Sequence, residues 1–301
     1  MSAQTYTRPF VGAQALASGV IANKYQLRRD FTPVFPGIYL PIDFLPESDR
    51  PSRGEAGRVL RQRTEAAWLW SGRQGVIAGS AAIALRGAKW VDHDVPIDLL
   101  LPSQRSPAGI VVHRDGFFDD DVQVLADMRV TTVARTVFDL CRWLSVDEAV
   151  ARVDALANVA VINTKVILEL ATRHRWARNV RRVKKVLDLH DRGARSPKES
   201  WLRLVATSAG FPRPKTQIEV PIPGTRRRYF LDMGWEWLLI GLEYDGEHHR
   251  TPRQVRYDLV RMEELAALGW IVIRVAKGTA PDEIIRRLQR AWDARQASIA
   301  G

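Results

Sequence analysis

Alternation of apolar and polar positions is clearest between residues 226 and 275, RRRYFLDMGWEWLLIGLEYDGEHHRTPRQVRYDLVRMEELAALGWIVIRV. The pattern predicts two short apolar strands carrying carboxylates, then a helix, then a third apolar strand. Side chains two apart on a strand share a face. In Leu239-Ile240-Gly241-Leu242-Glu243-Tyr244-Asp245, Glu243 and Asp245 therefore point one way, and Ile240, Leu242 and Tyr244 the other. Tyr229-Phe230-Leu231-Asp232, the expected hairpin partner, brings a third carboxylate. Acidic residues in strands this apolar are costly unless something compensates them. A hard divalent cation, which takes oxygen ligands, is one compensation. Asp232, Glu243 and Asp245 are thus candidate ligands for magnesium or manganese.

The flanking pattern extends this into a domain over 196–301. Ser196-Pro197-Lys198-Glu199 is a capping box with proline at the first helical position, opening a helix that stops at Gly210. Glu199 has that structural role open to it as well as a place at the metal. Strands follow at Lys215–Ile222, Arg226–Met233 and Leu238–Asp245. Thr251-Pro252-Arg253-Gln254 caps a helix to Leu268, Trp270–Val275 is a closing strand, and Pro281 starts a last helix to about Arg295. Helix, three strands, helix, strand, helix describes a mixed sheet flanked by helices.

Further upstream, residues 8–45 read as helix, turn, helix and hairpin. Val11–Ala17 ends at Ser18-Gly19, Asn23 caps a second helix bearing Lys24, Arg28 and Arg29, and Val34–Leu40 turns at Pro36-Gly37 like a wing. A helix-turn-helix module places its second helix in the major groove; a small helical cap with surface arginines gives the same local pattern. Pro41–Gly54 suits a linker, and 55–172 an α/β middle region. That region holds a helix Arg58–Ser71, a short helix Ala81–Arg86, strands Ile97–Leu101 and Ile110–His113, and a strand-to-helix passage from Met128 to Leu140. Arg135 and Asp139 fall at helical i,i+4 spacing, which predicts a surface ion pair. His113, His174 and His190 read as isolated surface or packing residues, and no catalytic constellation stands out in this region. Over 173–195, Val180, Val183, Val186 and Leu187 recur at helical spacing among Arg181, Arg182, Lys184 and Lys185, predicting a basic amphipathic linker helix.

Charge changes the picture. The 301 residues hold 45 Lys+Arg against 34 Asp+Glu, a formal charge of +11, which makes nucleic acid the first partner to consider. The basic linker helix suits sequence-independent phosphate contacts, although a solvated helix face has the same composition. A single cysteine, Cys141, excludes an internal disulfide and a cysteine-based zinc site, and its apolar neighbours predict a buried thiol. No apolar run approaches the ~20 residues that span a bilayer, and no signal-peptide pattern opens the chain. A cytoplasmic location without membrane association is expected.

Two resemblances add to this reading. Pro36-Gly37-Ile38-Tyr39-Leu40-Pro41, Ala78-Gly79-Ser80-Ala81-Ala82 and Arg129-Val130-Thr131-Thr132-Val133-Ala134-Arg135-Thr136 resemble abortive-infection type IV antitoxins over roughly 8–150. That likeness implies a winged-helix, DNA-binding regulator. Glu199, Asp232, Glu243-Tyr244-Asp245-Gly246, His249, Asp258, Arg261 and Gly269–Val275 resemble, in this order and spacing, the PD-(D/E)XK nuclease superfamily, very-short-patch-repair branch. This implies an α/β restriction-endonuclease-like core in a multidomain chain, with Asp232 as central magnesium ligand and Glu243 or Asp245 beside it.

Leu231 stands where the superfamily has proline, and Asp245 where it has lysine. The repair-type members use histidine, so His249 or His248 takes the role of general acid or base. Arg227, Arg228, Arg250, Arg253 and Arg256 are placed to hold phosphates. Asp258 and Arg261 are expected to form an i,i+3 helix pair. Trp235 and Trp237, at the tip between the acidic strands, suit hairpin packing rather than a wedge into DNA. The expectation is a DNA endonuclease in repair or phage defence. Its alternatives are a DNA-binding regulator on a silent nuclease fold, or a protein-interaction component of such an assembly.

Overall fold

A computed structural model describes residues 6–42, 52–102, 105–246 and 251–300 of the chain. Its contacts divide into two compact units, 1–188 and 189–301.

The first unit opens with β1 (Phe10–Val11), α1 (Gly12–Ala17), α2 (Lys24–Asp30), β2 (Phe31–Phe35) and β3 (Ile38–Pro41). Asn23 caps α2 by accepting from the Gln26 N–H at 2.9 Å. Gly37, at φ +79°, makes the turn between β2 and β3, a conformation that favours glycine. The three strands pair antiparallel in the order β1-β3-β2, over a core of Phe10, Ala15, Ile21, Leu27 and Phe31. The helix, turn, helix and hairpin expected here are present. Most of the predicted linker lies outside the described residues.

The next helix, α3 (Arg53–Trp70), begins five residues before the predicted Arg58. Ser52 and Glu55 form a reciprocal capping box there, which starts the helix inside the stretch whose proline and charge read as linker. Then come β4 (Val76–Ile77), α4 (Gly79–Leu85), β5 (Ile97–Leu100), β6 (Ile110–His113), β7 (Val122–Leu125) and β8 (Met128–Thr131). They form a mixed sheet of order β6-β5-β4-β8-β7. Strand β7 was not predicted. It joins β8 through Ala126 and Asp127, both at positive φ (50° and 64°), a hairpin geometry usually announced by Asn or Gly. Four helices complete the unit: α5 (Val133–Trp143), α6 (Val146–Ala157), α7 (Thr164–Arg173) and α8 (Arg181–Leu189), the last reaching one residue past the division.

Helix α5 corrects one expectation. Arg135 and Asp139 are both 0% exposed, so their pair is not on the surface. Spacing puts the two on one face of α5 but cannot say which face, and α4, α6 and α7 all pack against this helix. Arg135 donates to Asp139 at 2.9 Å and to Asp121 at 3.0 Å, while Arg142 donates to Asp139 at 3.2 Å and to Asp115 at 2.7 Å. Burial pushes the Asp139 carboxyl up to about 6 against the pull of both arginines. Cys141 is buried beside it, its thiol pushed up to about 12 by burial and by Asp139.

The second unit follows the predicted order. It contains α9 (Pro197–Ser208), β9 (Lys215–Pro221), β10 (Arg228–Trp235), β11 (Ile240–Asp245), α10 (Pro252–Ala267), β12 (Ile271–Ala276) and α11 (Pro281–Ala300). The sheet order is β12-β11-β10-β9, with the hairpin pairs antiparallel and β11 parallel to β12. Helix α10 makes the crossover between the parallel strands, as such a connection requires. Leu202 of α9 and Ile284, Leu288 and Trp292 of α11 cover one face, against Met233, Trp235, Ile240 and Leu242. Leu265 of α10 lies on the other, with Ile218, Val220, Tyr229 and Leu231. Close approach of β10 and β11 depends on glycine: a Cβ on Gly234 would sit 2.1 Å from the Ile240 carbonyl oxygen. Trp235 is buried and donates to the Pro212 carbonyl at 2.9 Å, so it packs the hairpin as expected, while Trp237 is largely exposed.

Candidate functional site

The site begins where two strands part. β10 and β11 pair through Met233–Leu242, Gly234–Gly241 and Trp235–Ile240. At the next position the Asp232 carboxylate accepts from the Tyr244 N–H at 2.9 Å. A side chain thus takes up a backbone donor that the neighbouring strand would otherwise satisfy. The faces of β10 also exchange here. Tyr229 and Leu231 pack toward α10, whereas Met233 and Trp235 pack toward α9 and α11. Opposite Asp232 on β9, Gln217 adopts φ +51° and interrupts the ladder.

Asp232 is half-buried at this irregularity. Burial, followed by the negative charge of Glu199, pushes its carboxyl up to about 7; Glu243 adds to this, and the Tyr244 N–H and Arg261 oppose it. Glu199 is itself buried. It accepts from the Arg195 N–H at 2.9 Å, the Ser196 hydroxyl at 3.0 Å and the Gln217 amide at 3.3 Å. The cap therefore engages Glu199 as the sequence suggested, while its charge bears on Asp232.

The alternation of β11 holds. Ile240 and Leu242, with Tyr244 against them, belong to the core under α9 and α11. Glu243 and Asp245 line an open cleft of about 360 Å³, together with Asp232, Asp258, Arg261 and Arg274. A larger cavity, about 810 Å³, lies in the first unit between α3 and the 87–93 segment, with Asp92 as the sole carboxylate in its wall among the described residues.

Within that cleft two of the three predicted metal ligands, Glu243 and Asp245, have cationic partners that the sequence did not reveal. Arg261 forks onto Glu243, with Nη1 to Oε2 at 3.0 Å and Nη2 to Oε1, and also donates to the Phe230 carbonyl at 2.9 Å. This corrects the expected pairing of Arg261 with Asp258, whose carboxylate lies 3.9 Å from Arg274 instead. Helical spacing detects neighbours along α10, but Arg261 reaches across to β11. Arg274 of β12 donates to Asp245 at 2.6 Å. Among the described residues no three acidic, cysteine or histidine side chains converge as a metal cluster would. The expected trio therefore shares a cleft without forming a cage.

The proposed DNA contacts are distributed between the units. Lys24 and Arg28 are exposed on α2, and Arg29 pairs with Asp30 at 2.6 Å. Arg181, Arg182, Lys184 and Lys185 are exposed on α8, whose Val183, Val186 and Leu187 are buried as the periodicity required. Arg227 pairs with Glu264 at 2.6 Å and Arg228 with Glu219, whereas Arg253 and Arg256 are exposed. His248, His249 and Arg250 lie outside the described residues.

Two histidines in the first unit differ from expectation. His113 is not isolated: its Nε2 is 2.7 Å from Asp98, and its ring stacks on Trp143 at 3.4 Å. His174 packs against Phe118 and Phe138, 3.4 Å from Asp121. These partners come from distant segments, so spacing along the chain gave no signal. No helix is long and apolar enough to cross a membrane among the described residues. Comparison with protein-family models, curated proteins and solved structures finds no match for the chain.

Proposed function

We propose that the second unit is a divalent-metal-dependent nuclease core acting on DNA. The observation that carries this reading is the shared cleft of Asp232, Glu243 and Asp245 at the point where β10 and β11 separate. The order of helix, three strands, helix, strand and helix supports it, being the order on which the PD-(D/E)XK resemblance rests. The donor set also fits a hard cation. Its atoms are carboxylate oxygens, and Asp232 is crowded by Glu199 and Glu243 while a single backbone N–H donates to it among the described residues.

Asp232, with Glu243 or Asp245, would hold magnesium or manganese. Such a cation, when bound, supplies Lewis-acid polarisation of a phosphodiester and activation of water. Exposed Arg253 and Arg256 on α10 serve as phosphate contacts. Arg261 and Arg274 in the cleft wall offer positive charge to a bound strand once Glu243 and Asp245 engage a metal. His249 is the candidate proton carrier on chemical grounds, because an unperturbed imidazole titrates near neutrality.

The Arg261 and Arg274 pairs favour a second reading, in which they neutralise Glu243 and Asp245 permanently and the unit serves a non-catalytic DNA-binding regulator. Purified protein incubated with supercoiled, mismatched and branched DNA in magnesium or manganese decides between the two. Cleavage by the wild type and its loss in Asp232→Ala supports the nuclease. Salt-sensitive binding with no cleavage of any substrate supports the regulator.

A further inference from the structure

A second cleft, of about 730 Å³, lies within the first unit and collects positive charge from three separate elements. Arg114 directly follows β6, Arg142 comes from the last turn of α5, Arg178 from the turn that enters α8, and Arg182 from the first turn of α8. Its acidic lining residue is Asp115, and that charge is already engaged. Asp115 accepts from Arg142 at 2.7 Å and from the Trp143 indole at 3.2 Å. Burial alone would raise this carboxyl, but the bonds from Arg142 and Trp143 outweigh it and hold it below its usual range.

The floor and rim are built rather than incidental. Arg142 is 3% exposed, lies 4.6 Å from the centroid of the Phe138 ring, and has a buried Nε without a hydrogen-bond partner. Its backbone carbonyl accepts from the Asn179 amide at 3.0 Å, and its Nη1 donates to the Arg178 carbonyl at 3.3 Å. Asn179 sits at φ +61°, so a left-handed residue bolted to Arg142 fixes where Arg178 stands on the rim. One turn later Arg182 donates to the Leu144 carbonyl at 3.2 Å. Arg114 and Arg178 are exposed, and neither side chain has an ion-pair partner among the described residues.

The start of α8 points the same way. Its first turn contains no acidic residue, and Arg181, Arg182, Lys184 and Lys185 crowd its N-terminal half. Positive charge at the positive end of a helix dipole is unfavourable, whereas an anion there is stabilised. The Arg182 and Val183 N–H groups already donate to the Asn179 and Val180 carbonyls at 2.9 and 3.1 Å, so it is the clustered side-chain charge that a bound anion offsets.

We propose that this cleft binds a phosphate group, supplied by a nucleic-acid backbone, with Arg114, Arg178 and Arg182 as its direct contacts and Arg142 as the buried positioning residue. This extends the nucleic-acid part of the reading above and does not depend on the carboxylate cleft. A phosphodiester in a strand and the phosphate of a free nucleotide present the same oxygens to arginine, so the experiment carries an arm for each.

Full-length protein is titrated in EDTA, where cleavage plays no part, with a fluorescein-labelled duplex over a range of salt. Wild type is compared with Arg114→Gln/Arg178→Gln and with a charge-matched control, Arg105→Gln/Lys165→Gln. Losing two phosphate contacts should weaken binding roughly tenfold and flatten the plot of log affinity against log salt by about 1.8. Arg178→Lys, which keeps the charge, should retain most of the slope. In the second arm, adenosine monophosphate and inorganic phosphate are added and the melting temperature is read. A cleft variant that binds duplex like wild type, but loses a melting shift the wild type shows, assigns the phosphate to a free nucleotide. Equal behaviour of the cleft variant and the charge-matched control in both arms overturns the proposal. Because the substituted arginines are exposed, circular dichroism should show an unchanged fold.

Discussion

Replacing Asp232 by asparagine should stabilise the metal-free protein, although the residue is central to the proposed site. The Asp232 carboxyl is raised from 3.8 to about 7, chiefly by burial and by Glu199. Unfolded chains lose this proton near pH 4, whereas the folded chain keeps it to about pH 7. Between those limits the folded state binds more protons, so this group makes stability fall as pH rises. A shift of this size corresponds to at most about 4 kcal/mol at 1.36 kcal/mol per unit. Asp232 is not fully buried, and solvent screening reduces the effect to about 1–2 kcal/mol. Asparagine keeps an oxygen for the Tyr244 N–H and carries no charge. Urea unfolding in EDTA, fitted with separate transitions for the two units, should therefore show Asp232→Asn more stable than wild type at pH 8. At pH 4 the two should nearly coincide. Magnesium should reverse the order at pH 8, because it stabilises only the form it binds. A variant less stable at pH 8 without metal, or equally shifted at both pH values, would refute the reasoning.

Other consequences are open to direct test. Gly234→Ala places a Cβ against the Ile240 carbonyl and should cost the second unit about 2–4 kcal/mol in urea unfolding, leaving the first unit's transition in place. Arg135→Met leaves the buried Asp139 with Arg142 alone and the buried Asp121 with Arg173 as its arginine partner, and should destabilise the first unit by about 2–4 kcal/mol. Arg261→Gln leaves the buried Glu243 without its fork; stability should drop in EDTA, and magnesium should restore part of it, as melting temperatures would show. Duplex binding should weaken steeply between 50 and 200 mM salt, since the exposed arginines and lysines of α2 and α8 act through released counterions.

What could be read from the chain, and what could not, follows from the range of the interactions. The strands of the second unit declare themselves through residues two apart and through local caps such as Ser196 and Thr251, so their order was legible. The common orientation of Glu243 and Asp245 follows from the same alternation, and the hairpin brings Asp232 beside them. Their cationic partners were not legible, because Arg261 and Arg274 reach them across three elements. The i,i+3 spacing of Asp258 and Arg261 suggested a different pair. Arg135 and Asp139 show the complementary failure: spacing gave their shared face but not the helices that cover it. Strand β7 was missed because Ala126-Asp127 turns without the residues that normally mark such a turn.

The proposed metal centre requires that the cleft between β10 and β11 take a hard cation, and manganese binding followed by electron paramagnetic resonance measures this most directly. Free manganese gives a strong six-line signal that weakens on binding, so a titration yields affinity and stoichiometry. The wild type should bind at micromolar to millimolar concentrations, with magnesium competing, and Asp232→Asn and Glu243→Gln should each lose most of that binding. Manganese that stays free in the presence of folded wild-type protein, or binds equally to both variants, would contradict the proposed metal centre.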